Sequence, residues 1–165
     1  MPPITALIHT HNDGLRLGRC LETLYVCDEL VIVDHGSEDG TPQIARAYGS
    51  RVIYRSGIIA AASPPAGAQL IRDGWLLCLD PHESLSESLM ASLYEWKSDS
   101  DFVSVSAGTA FSVFLREETT EGWIENPQPQ TRLVPAGWNR WRGRLPMHEP
   151  SARVLEGRLL RFVTP

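Results

Sequence analysis

The sequence has no apolar run near the roughly 20 residues that a membrane-spanning helix needs. Its start, MPPITALIHTHND, lacks the charged n-region and long h-region of a secretory leader. A basic surplus is missing as well: 15 Lys and Arg stand against 20 Asp and Glu, a formal net charge of −5. That balance excludes nucleic acid as a partner held by charge alone. Cysteine is scarce, odd in number at three, and has no CxxC spacing. Cys20, Cys27 and Cys78 sit among apolar residues and read as buried reduced thiols rather than disulfides or zinc ligands. Glycine-rich phosphate loops are absent too. No GxGxxG follows the first apolar run and no GxxxxGK[ST] occurs, so a phosphate cradle at a helix N-terminus is excluded. The expected location is the cytoplasm, with a peripheral position on the membrane as the alternative.

What is present is enough for one domain with a real core. The chain has 165 residues, 42% of them hydrophobic and 21% charged, and a chain of this size buries roughly 68–70% of its unfolded surface. From Ile4 to Ser98 short apolar runs alternate with helical periods, the mark of βαβ units on a parallel sheet. ITALIHT (Ile4 to Thr10) reads as the first strand. Asn12 is the expected N-cap of a helix whose Leu17, Cys20, Leu21 and Leu24 share one face. ELVIVDH (Glu29 to His35) is a continuous apolar strand, as expected where both sheet faces are covered. Thr41-Pro42 reads as a cap followed by proline in the first turn, and Gly49 as the left-handed residue that ends that helix. RVIYR (Arg51 to Arg55) and WLLCLD (Trp75 to Asp80) are the third and fourth strands. Ser84 to Glu87 fits a capping box ahead of a helix with Leu89, Leu93 and Trp96 inward.

From Asp101 the helical period stops. DFVSVSA alternates, FSVFLRE follows, and ARVLEGRLLRF reads as two strands turning at Glu156-Gly157. The expected architecture is α/β: a mostly parallel sheet flanked by helices over residues 1–100, then a strand- and loop-rich half over 101–165, all in one domain.

Open parallel sheets bind ligands outside the carboxyl ends of their strands, and three strand ends here carry acids. They are Thr10-His11-Asn12-Asp13, Asp34-His35-Gly36-Ser37-Glu38-Asp39 and Asp80-Pro81-His82-Glu83. Without a glycine loop, the remaining way to hold a diphosphate in an acidic crevice is a divalent cation bridging carboxylate and phosphate oxygens. A turn at Pro81 would aim Asp80 and His82 at one ion, and an imidazole ligand favours Mn²⁺ over Mg²⁺.

These residues carry a resemblance. The run from Ile4 to Arg55, with Thr10-x-Asn12-Asp13 and Asp34-x-Gly36-Ser37-x-Asp39-Gly40-Thr41, resembles the nucleotide-binding half of family 2 glycosyltransferases of the GT-A fold. It is most similar to the lipopolysaccharide-core and β-glucosyltransferase branch. WLLCLDPHE stands where that branch has "WVLFLDADE", Arg132-Leu133 where it has "RLF", and Met147-His148-Glu149 where it has "VHE". The resemblance implies a Rossmann-like GT-A domain that moves a sugar from a nucleotide sugar, a UDP-sugar first among the candidates, to a saccharide or lipid-linked acceptor. It implies that Thr10, Asn12, Asp13, Asp34 and Asp39 line the nucleoside pocket, and that Asp80 and His82 hold Mn²⁺ or Mg²⁺. Glu149, then Glu83, are its candidates for the catalytic base.

Several residues have plainer readings. Asp34 and Asp39 suit turns and helix starts. His82 suits a solvated turn, His148 a partner for a neighbouring strand, and His9 and His11 packing. Trp138 and Trp141 suit either core anchors or a sugar-stacking platform. The chain also departs from the branch. Pro64-Pro65 replaces an Arg-Asn pair expected to face the donor, His82 replaces an acid, Arg161 replaces a histidine, and helices that shape the acceptor side and touch membranes in relatives do not follow Phe162. Two alternatives result: a catalytically inactive nucleotide-binding or regulatory module, and a homodimer that completes the acceptor site. A further expectation is that the loop from Ile58 to Gly67 acts as a lid.

Overall fold

A computed structural model describes residues 2–56, 64–99 and 109–165. Its strands are β1 (Ile4–Thr10), β2 (Glu29–Asp34), β3 (Arg51–Tyr54), β4 (Trp75–Leu79), β5 (Glu83–Leu85) and β6 (Phe111–Thr119), followed by β7 (Gly122–Glu125), β8 (Gln130–Pro135), β9 (Trp141–Arg142), β10 (Leu145–Pro146) and β11 (Arg153–Arg161). The helices are α1 (Gly14–Glu22), α2 (Thr41–Ala47) and α3 (Glu87–Ser98), with one 3₁₀ turn at Ala68–Leu70. DFVSVSA and most of the expected lid lie outside the described residues.

Nine strands form one sheet in the order β3-β2-β1-β4-β8-β6-β11-β5, with β7 paired to β6, while β9 and β10 make a separate hairpin. β3, β2, β1 and β4 run parallel. The direction reverses at β8, which is antiparallel to both β4 and β6. The chain therefore winds outward from β1 to β3 and then returns to β1's other side with β4. A crevice opens outside the carboxyl ends at such a switch of direction.

β1 lies between β2 and β4 and is buried along its whole length. Its alternation divides the core. Ile4, Ala6 and Ile8 pack with Leu17, Cys20, Leu21 and Leu24 of α1 and Leu89, Leu93 and Trp96 of α3. Leu7 points to the other face, with Val31, Val33, Cys78, Trp138 and Trp141. Trp75, Trp96 and Phe111 meet edge to face at ring separations of 5.1–5.7 Å, a geometry that adds to area burial.

The local expectations need four corrections. The N-cap of α1 is Asp13, because Asn12 turns left-handed at φ 53° and its Oδ1 accepts from the Glu38 amide. Thr41 is already helical, with Gly40 the cap of α2. α3 is capped by Ser86, whose Oγ accepts from Leu89 N, while Ser84 lies in β5. ARVLEGRLLRF is not a hairpin but the single strand β11, whose register against β6 shifts between Val154 and Arg158. Gly49 does take the left-handed φ of 77° just after α2.

Candidate functional site

The carboxyl ends of β1 and β2 are tied to each other by side chains that take up backbone donors. Asp34 is 1% exposed; its Oδ2 accepts from Ser37 N at 2.9 Å and its Oδ1 from Ser37 Oγ at 2.6 Å and Thr10 Oγ1 at 3.1 Å. Ser37 Oγ also accepts from Asn12 N at 2.9 Å. Asp39 accepts from Thr41 N and Gly14 N, each at 3.0 Å, and from the Thr41 hydroxyl. The Thr41 hydroxyl oxygen in turn accepts from Asp13 N at 2.9 Å. Thr10, Asn12, Asp13, Asp34 and Asp39 are thus brought together in one two-loop network. The hydrogen bond from the Thr41 hydroxyl, ahead of its amide and that of Gly14, holds the Asp39 carboxyl below the usual range.

β4 delivers Asp80 to the same edge. Pro81 follows, and a turn closed by Glu83 N donating to Asp80 O at 2.9 Å leads into β5. Asp80 Oδ1 accepts from His82 N at 3.1 Å and His82 Nδ1 at 2.5 Å, and lies 3.8 Å from Arg161 Nη1. Its Oδ2 pairs with Arg144 Nη2. Burial alone would raise the Asp80 carboxyl, but Arg144, His82 and Arg161 together outweigh burial and hold it below the ordinary range. His82 Nε2 lies 2.8 Å from Arg16 Nη1. A guanidinium only donates, so Nε2 is the acceptor and Nδ1 carries the proton given to Asp80. Arg16 also reaches Asp13 Oδ1 at 3.5 Å, which links this corner to the two-loop network.

Glu83 departs from its expected role as a base. It is fully buried, its oxygens meet Arg132 Nη1 at 2.7 Å and Nη2 at 2.8 Å, and Oε1 also accepts from Asp80 N at 2.7 Å. A carboxylate committed in this way offers nothing to a substrate hydroxyl; it fixes the Asp80 turn. Glu149 stands elsewhere, ahead of β11. Its amide donates to Thr131 Oγ1 at 2.8 Å and its carboxylate binds Ser151 and Arg140. Ser151's hydrogen bonds first, with Arg140 adding, hold Glu149 below the usual range. Beside it His148, Thr131, Arg132, Arg142 and Leu145 line a cavity of about 400 Å³.

His9 and His35 stack with ring centroids 5.1 Å apart and nitrogens 2.8 Å apart. Burial, then His35 and Arg144, push His9 down to about 4. Trp138 and Trp141 are each 8% exposed and donate their indole N–H groups to loop carbonyls, while Arg140 covers the Trp138 ring at 4.3 Å. They anchor the loop, and both also line a cavity of about 560 Å³ with Ile71, Leu76 and Ala136. Cys20, Cys27 and Cys78 are free thiols that burial pushes upward, the latter two to about 12.

The residues at Asp80 do not fit a divalent cation in this arrangement. Both carboxylate oxygens and the one imidazole lone pair are engaged, Glu83 is committed to Arg132, and three guanidinium groups surround the corner. Among the described residues no group of three His, Cys, Asp or Glu side chains converges on a common point. The sequence reading missed Arg16 and Arg144, which carry no periodic signal; Arg161 stood out only as a departure from the branch. Arg132 did carry a signal, because a charge inside the apolar strand QTRLVP requires a buried partner.

A parallel α/β edge with polar loops at a direction switch defines an open-sheet class of protein that takes its ligands in that crevice. The profile of Glycosyl transferase family 2 matches residues 5–152, and the chain belongs to that family. It is 32% identical over 104 residues to the lipopolysaccharide core biosynthesis glycosyltransferase LpsC of Rhizobium meliloti, covering 60% of this chain and 38% of LpsC. It is also 32% identical over 154 residues to a TPR repeat-containing protein of Synechococcus elongatus, covering 90% of this chain and 35% of that one. The crystal structure of TarS from S. aureus superimposes with a TM-score of 0.60 at 15% identity, covering 99% of this chain and 37% of TarS. A TarS fragment in complex with UDP-GlcNAc gives 0.52 at 18% identity, over 76% of this chain and 37% of the fragment. The GT-A fold expected from the resemblance is the fold observed. The chain spans little more than a third of the length of these relatives.

Proposed function

We propose that the chain transfers a sugar from a nucleotide sugar to a hydroxyl acceptor, with the donor in the crevice outside the carboxyl ends of β1, β2 and β4. The observation that carries this reading is the linkage of all three strand ends through Asp34, Ser37, Asn12, Asp13, Arg16 and His82. Thr10, Asn12, Asp13, Asp34 and Asp39 shape the nucleoside side. A UDP-sugar is the favoured donor, supported by the UDP-GlcNAc bound to the TarS fragment. The LpsC name supports a saccharide or lipid-linked acceptor.

In the reaction, the acceptor oxygen bonds to the anomeric carbon as the bond from that carbon to the β-phosphate oxygen breaks. The bonding electron pair leaves with the nucleoside diphosphate, and the hydroxyl proton passes to a carboxylate. Glu149 takes that proton: its lowered carboxyl is ionised at neutral pH, its partners Ser151 and Arg140 leave it in reach of solvent where Glu83 is sealed in, and its neighbours Thr131 and His148 line the cavity that suits an acceptor. A divalent cation would offset charge on the leaving group, but no step here is assigned to one, since the residues present do not fit it. A non-catalytic nucleotide-binding module is the second reading, favoured by the full engagement of Asp80 and Glu83 within the fold. A homodimer completing the acceptor side is tested by sedimentation.

The first test is thermal stability with UDP, GDP and their sugars, in EDTA and in Mn²⁺. A ligand at 100 times its dissociation constant adds about 2.7 kcal/mol. Stabilisation together with slow release of UDP from a UDP-sugar supports transfer, and stabilisation without release supports the second reading. No stabilisation by any nucleotide removes both.

A further inference from the structure

We infer that Arg16, Arg144 and Arg161, gathered around Asp80 and His82, form an anion subsite that holds the diphosphate of a sugar nucleotide with guanidinium groups instead of a divalent cation. This deepens the donor-site reading above and rests on it.

The three arginines come from separate parts of the fold. Arg16 lies in α1, Arg144 in the turn between β9 and β10, and Arg161 at the end of β11. All three meet the turn after β4, where the crevice lies. Their order from solvent inward decides which ion the corner accepts. The Asp80 side chain is 4% exposed, whereas those of Arg16, Arg144 and Arg161 are 26%, 31% and 35% exposed. An ion arriving from solvent therefore meets guanidinium groups first, and the carboxylate lies beneath them. A cation is repelled at that face; a diphosphate is attracted.

Arg161 is the least committed of the three. At 3.8 Å its contact with Asp80 is beyond hydrogen-bond reach, and its guanidinium makes no hydrogen bond among the described residues. Its planar fork is free to take two phosphate oxygens at once. Arg144 can share its remaining N–H groups between Asp80 and a phosphate. Asp80 then positions Arg144 and, through Nδ1, the His82 ring that receives Arg16. As the anomeric carbon–oxygen bond breaks, the added negative charge falls on the β-phosphate oxygen. Donors already aimed there stabilise it without reorganising.

The test is calorimetric titration of the intact chain with inorganic pyrophosphate and, separately, UDP, both in EDTA. Each is expected to bind. Arg161→Gln and Arg144→Gln should each weaken both ligands about ten-fold, the loss expected for one charge-assisted contact. Arg161→Gln removes no hydrogen bond among the described residues, so its loss of binding is not loss of folding. Asp80→Asn keeps an acceptor for His82 and removes a negative charge, so it should bind pyrophosphate as tightly as the parent or more tightly, whereas a metal ligand would lose binding. Binding that requires Mn²⁺ or Mg²⁺, binding lost in Asp80→Asn, or arginine variants that bind like the parent overturns the inference. So does failure of both ligands to bind in EDTA. Pyrophosphate that binds with this arginine dependence while UDP does not would leave the subsite standing and remove the sugar-nucleotide reading.

Discussion

Arg132 is 2% exposed in the middle of β8, and two of its nitrogens are held by a Glu83 carboxylate that no solvent reaches. Removing one partner strands the other charge in the core, a change that costs about 3–5 kcal/mol. We predict that Glu83→Gln loses stability on that scale in urea denaturation; a loss under about 1 kcal/mol would mean that the pair is not buried as described. His9 yields a different prediction, in pH. The ordinary imidazole value is 6.5 and the folded value is about 4. Between these values the unfolded chain binds a proton at His9 that the folded chain refuses, so stability falls as pH drops through that window. The largest contribution is on the order of 3 kcal/mol at about 1.4 kcal/mol per unit. Asp28, Asp39, Asp80 and Glu149 are likewise held below their ordinary values, so they too lose their contribution as pH falls, but only below about pH 4, under the His9 window. A stability profile with a slope between pH 6.5 and about 4, flattened in His9→Gln, is the expected result. An unchanged slope in the variant would assign it to another group.

At the scale of elements, β11 passes the start of α3 closely enough that only glycine fits. Gly157 has φ 105°, and a Cβ there would lie 2.3 Å from Leu89 N and 2.5 Å from its Cα, both backbone atoms inside a helix. Gly157→Ala should therefore destabilise by about 2 kcal/mol or more, from backbone strain and the clash together. A cost within about 0.5 kcal/mol in thermal melts would contradict the approach. The same place explains what the sequence hid. Strands β1 to β4 and helices α1 to α3 were legible because burial imposes period 2 or 3.6 on the apolar residues. Glu156-Gly157 looked like a turn because glycine marks both turns and close approaches, and only the neighbour, Leu89, tells them apart. β5 was hidden for a related reason. Glu83, Ser84 and Leu85 carry no apolar alternation; they are strand because β11 supplies the pairing and Arg132 the countercharge. The Ser84 capping box failed in the same place, since pairing with β11 keeps Ser84 extended and passes the cap to Ser86.

At the scale of the whole molecule, the acids of the crevice were readable because they follow strands directly, whereas the arginines were not. Positions 16, 144 and 161 are far apart in sequence, and only the fold sets them around Asp80. This convergence also opposes the charge of the chain, which is −5 overall, and the opposition can be measured. If the overall charge governed the approach of a diphosphate, added salt would screen repulsion and tighten binding. If the arginine corner governs it, salt screens attraction and weakens binding. The corner is the nearer source, and the screening length falls from about 10 Å at 0.1 M to about 3 Å at 1 M, so contacts at the site dominate over charges spread across the surface. We predict that the dissociation constant for pyrophosphate in EDTA rises several-fold between about 0.05 M and about 0.5 M salt. Arg161→Gln should flatten the dependence, because one of the charges responsible has been removed. A dissociation constant that stays level or falls with salt would return control to the overall charge and leave the three arginines as structural partners of Asp80, His82 and Asp13.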